Sequence, residues 1–382
     1  MPILYFDNAA TTPLDPLVLR EMLPHLKKEF GNPESPYSLG KRARSAVDLA
    51  RTRVAELINS SPDEIIFTGS GTESNNLALK GTSTGHLAAS AVEHHSVLES
   101  CRFLETGGAR FDLISVDHLG RLNMSSLGSS LSRGAGLVSV MHANNEIGTI
   151  QPILEIGKAC RDRRVILHVD AVQTFGHLKI DVRKMKIDLL SLSAHKIYGP
   201  KGVGALFIGS NVCLTSHLHG GEQERHLRAS THNVAGIVGL GMAAVLAGER
   251  QDQEALKQSS WQDMIRDKVL HGMERVRLNG DPELRLPGNL SFTFDFVDGK
   301  ELIAELDRRG ICASGGAACA TSDPRPSHVL QAIGLPQDIP HGTLRLSLGR
   351  FNNDLEIEKL LRVLPGVIEK VRKKHPLYEM LF

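Results

Sequence analysis

The chain has 382 residues, enough for two domains or for one large domain with a satellite at about 100–200 residues per domain. Hydrophobic residues make up 41% and charged residues 23%, ordinary values for a globular protein. Forty-four Lys and Arg against 43 Asp and Glu leave a net charge of +1, which gives no electrostatic case for a nucleic-acid-binding or membrane-surface protein.

In chain order, Met1 to Thr12 has no basic segment followed by an apolar core, so no signal peptide is expected. Arg42 to Ile58 places apolar residues at helical spacing. Glu64 to Thr68 reads as a short strand ending in Gly69-Ser-Gly71. Leu137–Met141, Val165–Val169, Leu189–Ser193 and Val203–Ile208 are further short apolar runs, most separated by helical stretches. That alternation predicts an α/β fold with a mainly parallel sheet and helices on both faces, and ligands at the carboxyl ends of its strands. Val234 to Gly248 is uncharged but shorter than the ~20 residues of a bilayer span, so it reads as a buried helix. From about residue 250 the pattern becomes that of a smaller α+β domain. A polar helix is expected over Gln251–Leu278, strands over Leu290–Phe296, near Gly310–Ser314 and over Leu344–Leu348, and helices over Lys300–Arg309 and Asp354 to about Lys373. The domain expectation is residues 14–250 for the large unit, and 1–13 with 251–382 for the small one.

The chemistry-bearing residues follow the strands. A glycine turn opening a helix exposes backbone N–H groups to an anion, so Gly71 and Thr72 form a candidate phosphate cradle. No G-K-[ST] follows, which excludes a P-loop. Asp170 ends a strand, as a partner for a cationic nitrogen or as a helix cap. Ser193-Ala-His-Lys196 sets a lysine beside a buried strand, either a Schiff-base nucleophile or a surface loop residue, with Ser193 and His195 near the same anion as Thr72. His94 and His95 are adjacent and point apart, which disfavours a metal site; one of them stacks on a flat ring or is structural. Arg345 lies in an apolar strand and needs an anion, a substrate carboxylate or an internal salt bridge. Five cysteines without C-x-x-C pairs argue against a disulfide scaffold and fit a cytoplasmic protein. Cys101, Cys160, Cys213 and Cys312 are expected in the core. Cys319, in the small-residue segment Ala313–Pro326, is the candidate reactive thiol. A phosphate cradle, a Schiff-base lysine, a carboxylate for a ring nitrogen and a stacking histidine together describe a pyridoxal-phosphate site.

The sequence resembles the cysteine desulfurases, in the class V aminotransferase group of fold-type I pyridoxal-phosphate enzymes. Phe6-Asp-Asn-Ala-Ala-Thr-Thr12, Gly31-Asn-Pro33, Phe67 to Asn76, Glu93-His94, Asn144-Asn-Glu-Ile-Gly148, His168 to Gln173, Ser193 to Gly204, Gln223-Glu-Arg225, Ser327-His-Val-Leu330 and Arg345 to Arg350 carry the resemblance. The loop around Cys319 is similar to the form found in iron–sulfur-assembly members. The resemblance implies pyridoxal 5'-phosphate held on Lys196, with Asp170 at the pyridine nitrogen, Gln173 at the ring hydroxyl and His94 stacked on the ring. It implies phosphate contacts from Gly71, Thr72, Ser193 and His195, and from Thr231 of the neighbouring subunit of a homodimer. Asn145 would contact cofactor and substrate, and Arg345 would take the carboxylate of L-cysteine. Cys319 would take the sulfur as a persulfide, leave L-alanine and serve a sulfur-acceptor protein. The alternatives are a lyase acting on cystine or selenocysteine, a transaminase, or an idle scaffold binding a sulfur acceptor. In two places the sequence departs from the group. His226-Leu-Arg-Ala-Ser-Thr231 has His226 and Ser230 where glycines are usual, and strain is expected there if those positions need positive φ. The Cys319 loop has Gly315 and Ala317 where serine or similar is usual.

Overall fold

A computed structural model describes residues 3–315, 327–335, 341–375 and 378. The chain runs β1 (Leu4–Tyr5), α1 (Pro16–Lys27), α2 (Ser38–Leu57), β2 (Ile65–Thr68), α3 (Gly71–Gly81), β3 (His86–Ser90), α4 (His95–Thr106), β4 (Arg110–Ile114), α5 (Met124–Ser132), β5 (Leu137–Met141), α6 (Ile153–Asp162), β6 (Ile166–Asp170), β7 (Leu189–Ser193) and β8 (Gly204–Ile208). It continues through α7 (Val234–Gly272), β9 (Val276–Leu278), β10 (Asn289–Asp295), α8 (Gly299–Asp307), β11 (Ile311–Cys312), α9 (His328–Ala332), β12 (His341–Ser347) and α10 (Asp354–Arg372).

Seven strands form the large sheet in the order β2-β8-β7-β6-β5-β3-β4. Only β8 runs antiparallel to its neighbours. Side chains alternate between two apolar layers, as the period of a strand requires. Ile65, Phe67, Val138 and Leu190 pack under α2, α6 and α7. Ile66, Leu87, Leu137 and Leu189 pack under α3 and α4. A sheet buried on both faces reads as continuous short apolar runs, which is why β5, β7 and β8 stand out in the sequence. The edge strand β4 is buried only at Ile114, and β3 is only His-Leu-Ala-Ala-Ser, so neither stands out.

A second apolar cluster joins Phe292, Phe294, Leu344 and Leu346 of the antiparallel β12-β10-β9 sheet to Leu360 and Leu364 of α10. Leu4 and Phe6 belong to it, through the parallel pair β1-β11.

Three expectations change. The buried run from Val234 and the polar helix from Gln251 are one helix, α7, of 39 residues, ending at Gly272 rather than at Leu278. Its first half is apolar all round and lies against α1 and α2; its second half carries a narrow stripe of Trp261, Ile265 and Val269 into the second cluster. No proline or glycine interrupts Glu249 to Leu270, so the change of composition marks a change of burial partner and not a helix end. The strand near Gly310–Ser314 is reduced to two residues, with Ser314 making an isolated bridge to Arg345. Cys101 and Cys160 are buried and Cys312 is half-buried, but Cys213 is exposed, because it lies in the loop beyond the last paired residue of β8.

Candidate active site

The parallel strands β2, β3, β5, β6 and β7 all end at one cavity of about 330 Å³. Residues just past each end supply its walls.

After β2, the Ser70 hydroxyl caps α3 by accepting from the Glu73 N–H (3.1 Å). A Cβ at Gly71 would lie 2.5 Å from Val172 Cγ2, so only glycine lets the first turn of α3 approach β6 and β7 this closely. The first-turn N–H groups of α3, free of intrahelical partners, make an anion cradle. Ser193, the last residue of β7, is 1% exposed, and its hydroxyl has no hydrogen-bond partner. Leaving such a group unmade costs about 1–3 kcal/mol, which an anion in the cradle removes. His195 Nδ1 lies 3.1 Å from Thr11 Oγ1, and burial with the nearby Lys196 charge lowers its pKa to about 4, so it meets an anion as a neutral ring.

Asp170 ends β6. Its Oδ1 accepts from the Val172 N–H (2.9 Å) and its Oδ2 from Asn75 Nδ2 (2.7 Å). The cap-like bond thus coexists with a carboxylate that lines the cavity. Lys196 sits in a short helical turn after β7 and donates from Nζ to the carbonyls of Ala9 and Ala10 (both 2.6 Å). Gln173 Nε2 donates to the same Ala9 carbonyl (2.9 Å).

His94 follows β3 and caps α4. Its Nδ1 accepts from the Ser96 N–H (3.1 Å), which leaves the ring proton on Nε2. Burial lowers its pKa, and Asp170 opposes that shift. Glu93 beside it is fully buried; Oε1 accepts from the Met141 N–H (2.6 Å), and burial pushes its pKa well above the usual carboxylate range. Arg345, on β12, is 1% exposed. It donates to the Asn145 carbonyl (3.0 Å) and to Asp7 Oδ1 (2.7 Å), while its Nε has no partner. The internal salt bridge is therefore real, and it leaves the Nε N–H without a partner, able to meet an incoming anion.

One cavity thus gathers Gly71, Thr72, His94, Asn145, Asp170, Gln173, Ser193, His195, Lys196 and Arg345. Thr231 does not line it; it is exposed on the loop before α7. His226 and Ser230 both take positive φ, 64° and 99°. Cys319 lies outside the described residues. Asn75, Glu93, Glu146 and His328 also line the cavity. Asn75 falls one helical turn after Gly71, a spacing that signals a shared face, and Glu93 adjoins His94. His328 falls in Ser327-His-Val-Leu330, a segment that carries part of the resemblance.

An orphaned buried hydroxyl at a helix N-terminus, an amine and an oriented carboxylate fit a phosphorylated, cationic ring aldehyde. Such a ligand set belongs to fold-type I pyridoxal-phosphate enzymes. The aminotransferase class-V family matches residues 4–360, and the chain belongs to that family. The cysteine desulfurase IscS of Clostridium botulinum is 46% identical over 98% of this chain and 96% of its own length. The cysteine desulfurase IscS of Methanosarcina thermophila is 44% identical, covering 98% and 94%. Among solved structures, a NifS-like protein superposes with a TM-score of 0.90 at 34% identity, covering 96% of this chain and all of its own. SspA in complex with cysteine superposes with a TM-score of 0.79 at 35% identity, covering 90% and 98%.

Proposed function

We propose that the chain is a cysteine desulfurase: it takes sulfur from L-cysteine, leaves L-alanine and places the sulfur on Cys319 for an acceptor protein, in the service of iron–sulfur or other sulfur-compound synthesis. The observation that carries the reading is the meeting of Lys196, Asp170 and the orphaned Ser193 hydroxyl on one cavity, in a chain matching named cysteine desulfurases over nearly its whole length. Pyridoxal 5'-phosphate, when bound, supplies the electron sink that lets a bond at the substrate β-carbon break. The first turn of α3, Ser193 and His195 hold its phosphate. Asp170 holds a proton on the ring nitrogen, and His94 covers the ring face. Lys196 holds the cofactor through Nζ and then moves protons at the substrate α-carbon. Arg345 Nε and Asn145 orient the substrate carboxylate.

The same reading makes the molecule a cytoplasmic homodimer in which the exposed Thr231 reaches the neighbouring subunit's phosphate. No helix among the described residues is long and apolar enough to cross a membrane. The two apolar clusters support a division into residues 14–250 and residues 1–13 with 251–382.

The test has two readouts. Borohydride reduction should fix the cofactor on Lys196; a mass-mapped adduct on any other lysine overturns the assignment. Treatment with L-cysteine without reductant should add sulfur to Cys319. A Cys319→Ala variant that makes alanine from L-cysteine at the full rate would favour a lyase instead.

A further inference from the structure

Glu146 takes no part in the roles above, yet it is built into the same cavity. It lies in the turn after β5, where Asn144 Oδ1 accepts from the N–H groups of Glu146 (2.8 Å) and Ile147 (2.9 Å), and Asn144 Nδ2 donates to the Val92 carbonyl (2.8 Å). The turn is therefore rigid. The Glu146 side chain is 4% exposed, lines the cavity, and has no hydrogen-bond partner at Oε2. His95 from α4, Arg345 from β12 and the Ser327 hydroxyl just before α9 face it. His95 is exposed at the rim, its ring 4.7 Å from that of His328, whose Nε2 meets the Glu93 carbonyl at 2.9 Å. Glu99 and Arg102 complete the charged surroundings of His95.

Of the buried cavity-lining atoms that lack partners, which include Asn75 Oδ1, Glu93 Oε2 and Ser193 Oγ, two of opposite kind belong to residues whose charges face each other: Arg345 Nε is a donor and Glu146 Oε2 an acceptor. A ligand satisfying both carries an anion and, close to it, a hydrogen on a polar atom. In L-cysteine the carboxylate is the anion and the amine is committed to the cofactor, so the donor that remains is the S–H group. We propose that Glu146 is the acceptor for the sulfur-bound proton of the substrate, with His95 and His328 closing the wall around it. The proposal rests on the desulfurase reading. In the step assigned to Glu146, the S–H bond breaks, an O–H bond forms on Oε2, and the electron pair stays on sulfur; no oxidant or reductant enters. His95, being exposed, passes the proton on to solvent.

Burial raises the pKa of Glu146, with Ser327, Arg345 and His95 opposing it, and an acceptor must be ionised. Turnover of cysteine therefore falls on the acid side as pH drops through a pKa above the usual carboxylate value. The test compares the holoenzyme with Glu146→Gln and Glu146→Asp, measuring alanine formation against pH with L-cysteine and with L-selenocysteine, whose selenol is already ionised at neutral pH. With L-cysteine, Glu146→Gln should lose on the order of 10²-fold in kcat, together with the acid limb. With L-selenocysteine it should stay within a few-fold of the unaltered enzyme, and Glu146→Asp should recover part of the loss. An equal loss on both substrates, or no loss on cysteine, overturns the proposal. Should both variants fail to fold, the unaltered enzyme decides: the same acid limb on both substrates overturns the proposal, and a limb confined to cysteine supports it. No alanine from L-cysteine with the unaltered enzyme sinks the desulfurase reading, and this one with it; equal rates from the unaltered enzyme and Glu146→Gln sink this one alone.

Discussion

Asp170 shows how one side chain can cap a turn and still face a cavity. Two N–H donors, from Val172 and Asn75, hold its oxygens in place at the end of β6. An asparagine there would turn an NH2 group toward one of these donors and would bring no charge to the ring nitrogen. Asp170→Asn should therefore remain folded and keep its cofactor while losing about 10³-fold in alanine formation, equivalent to ~4 kcal/mol of barrier. A variant within threefold of the unaltered rate would reduce Asp170 to a cap. Ser230 makes the opposite case, a residue at odds with its backbone. Its φ of 99° is one that a side chain resists. Ser230→Gly should stabilise the fold by about 1 kcal/mol in thermal or denaturant unfolding, unless the hydrogen bond from its N–H to Gln223 Oε1 (3.2 Å) is lost with it.

At the scale of elements, the loop from Glu222 to Thr231 is held by a buried ionic clamp. Glu224 accepts from both terminal nitrogens of Arg51 on α2 (2.7 and 2.8 Å), from the Phe67 N–H of β2 (2.7 Å), and lies 2.8 Å from His232 Nε2. Burial alone would raise its pKa, but the bonds from Arg51, His232 and Phe67 pull it down to about 2. A depressed carboxylate contributes its stability above its unfolded pKa of about 4.3 and loses it as pH falls from there toward 2. Glu224→Gln should cost roughly 3 kcal/mol near neutral pH and flatten the stability profile between about pH 4 and 2. An unchanged acid slope would show the clamp to be inert. This clamp was not legible in the sequence, because Arg51, Phe67 and Glu224 meet only after the chain has folded. What was legible had local signatures. The short apolar runs marked β5, β7 and β8, and the glycine turn at Gly69-Ser-Gly71 marked the start of α3. Lys196 and Asp170 stood immediately after buried strands. The unity of α7 was hidden because its burial partner changes midway, and Glu146 was hidden because its meaning depends on Arg345, far along the chain.

The whole molecule is tied together beside Lys196. Tyr198, two residues beyond Lys196, accepts at its hydroxyl from the Arg350 N–H (2.5 Å), and the Arg350 guanidinium stacks 4.1 Å over its ring. The same guanidinium pairs with Asp15 (2.7 Å) at the start of α1 and with Glu254 (2.5 Å) in the middle of α7. One ionic knot therefore ties α1, α7 and the turn after β7 to the segment after β12. If two subunits complete each other's sites through Thr231, a mixture of Lys196→Ala and Thr231→Ala chains should regain activity that neither shows alone, since each mixed dimer holds one site with both residues intact. Mixing that restores nothing would place Thr231 outside the partner's site. The segment from Leu4 to Thr12 has a consequence for how the protein is made. Leu4 pairs with Ile311, the Asn8 amide donates to the Ser347 carbonyl, and Ala9 and Ala10 hold the Lys196 amine. Ile311 and Ser347 follow their partners in this segment by more than three hundred residues, so on the ribosome they emerge long after it. It stays without those partners until they are made, and the nascent chain is expected to be incompetent for cofactor until β12 has left the exit tunnel.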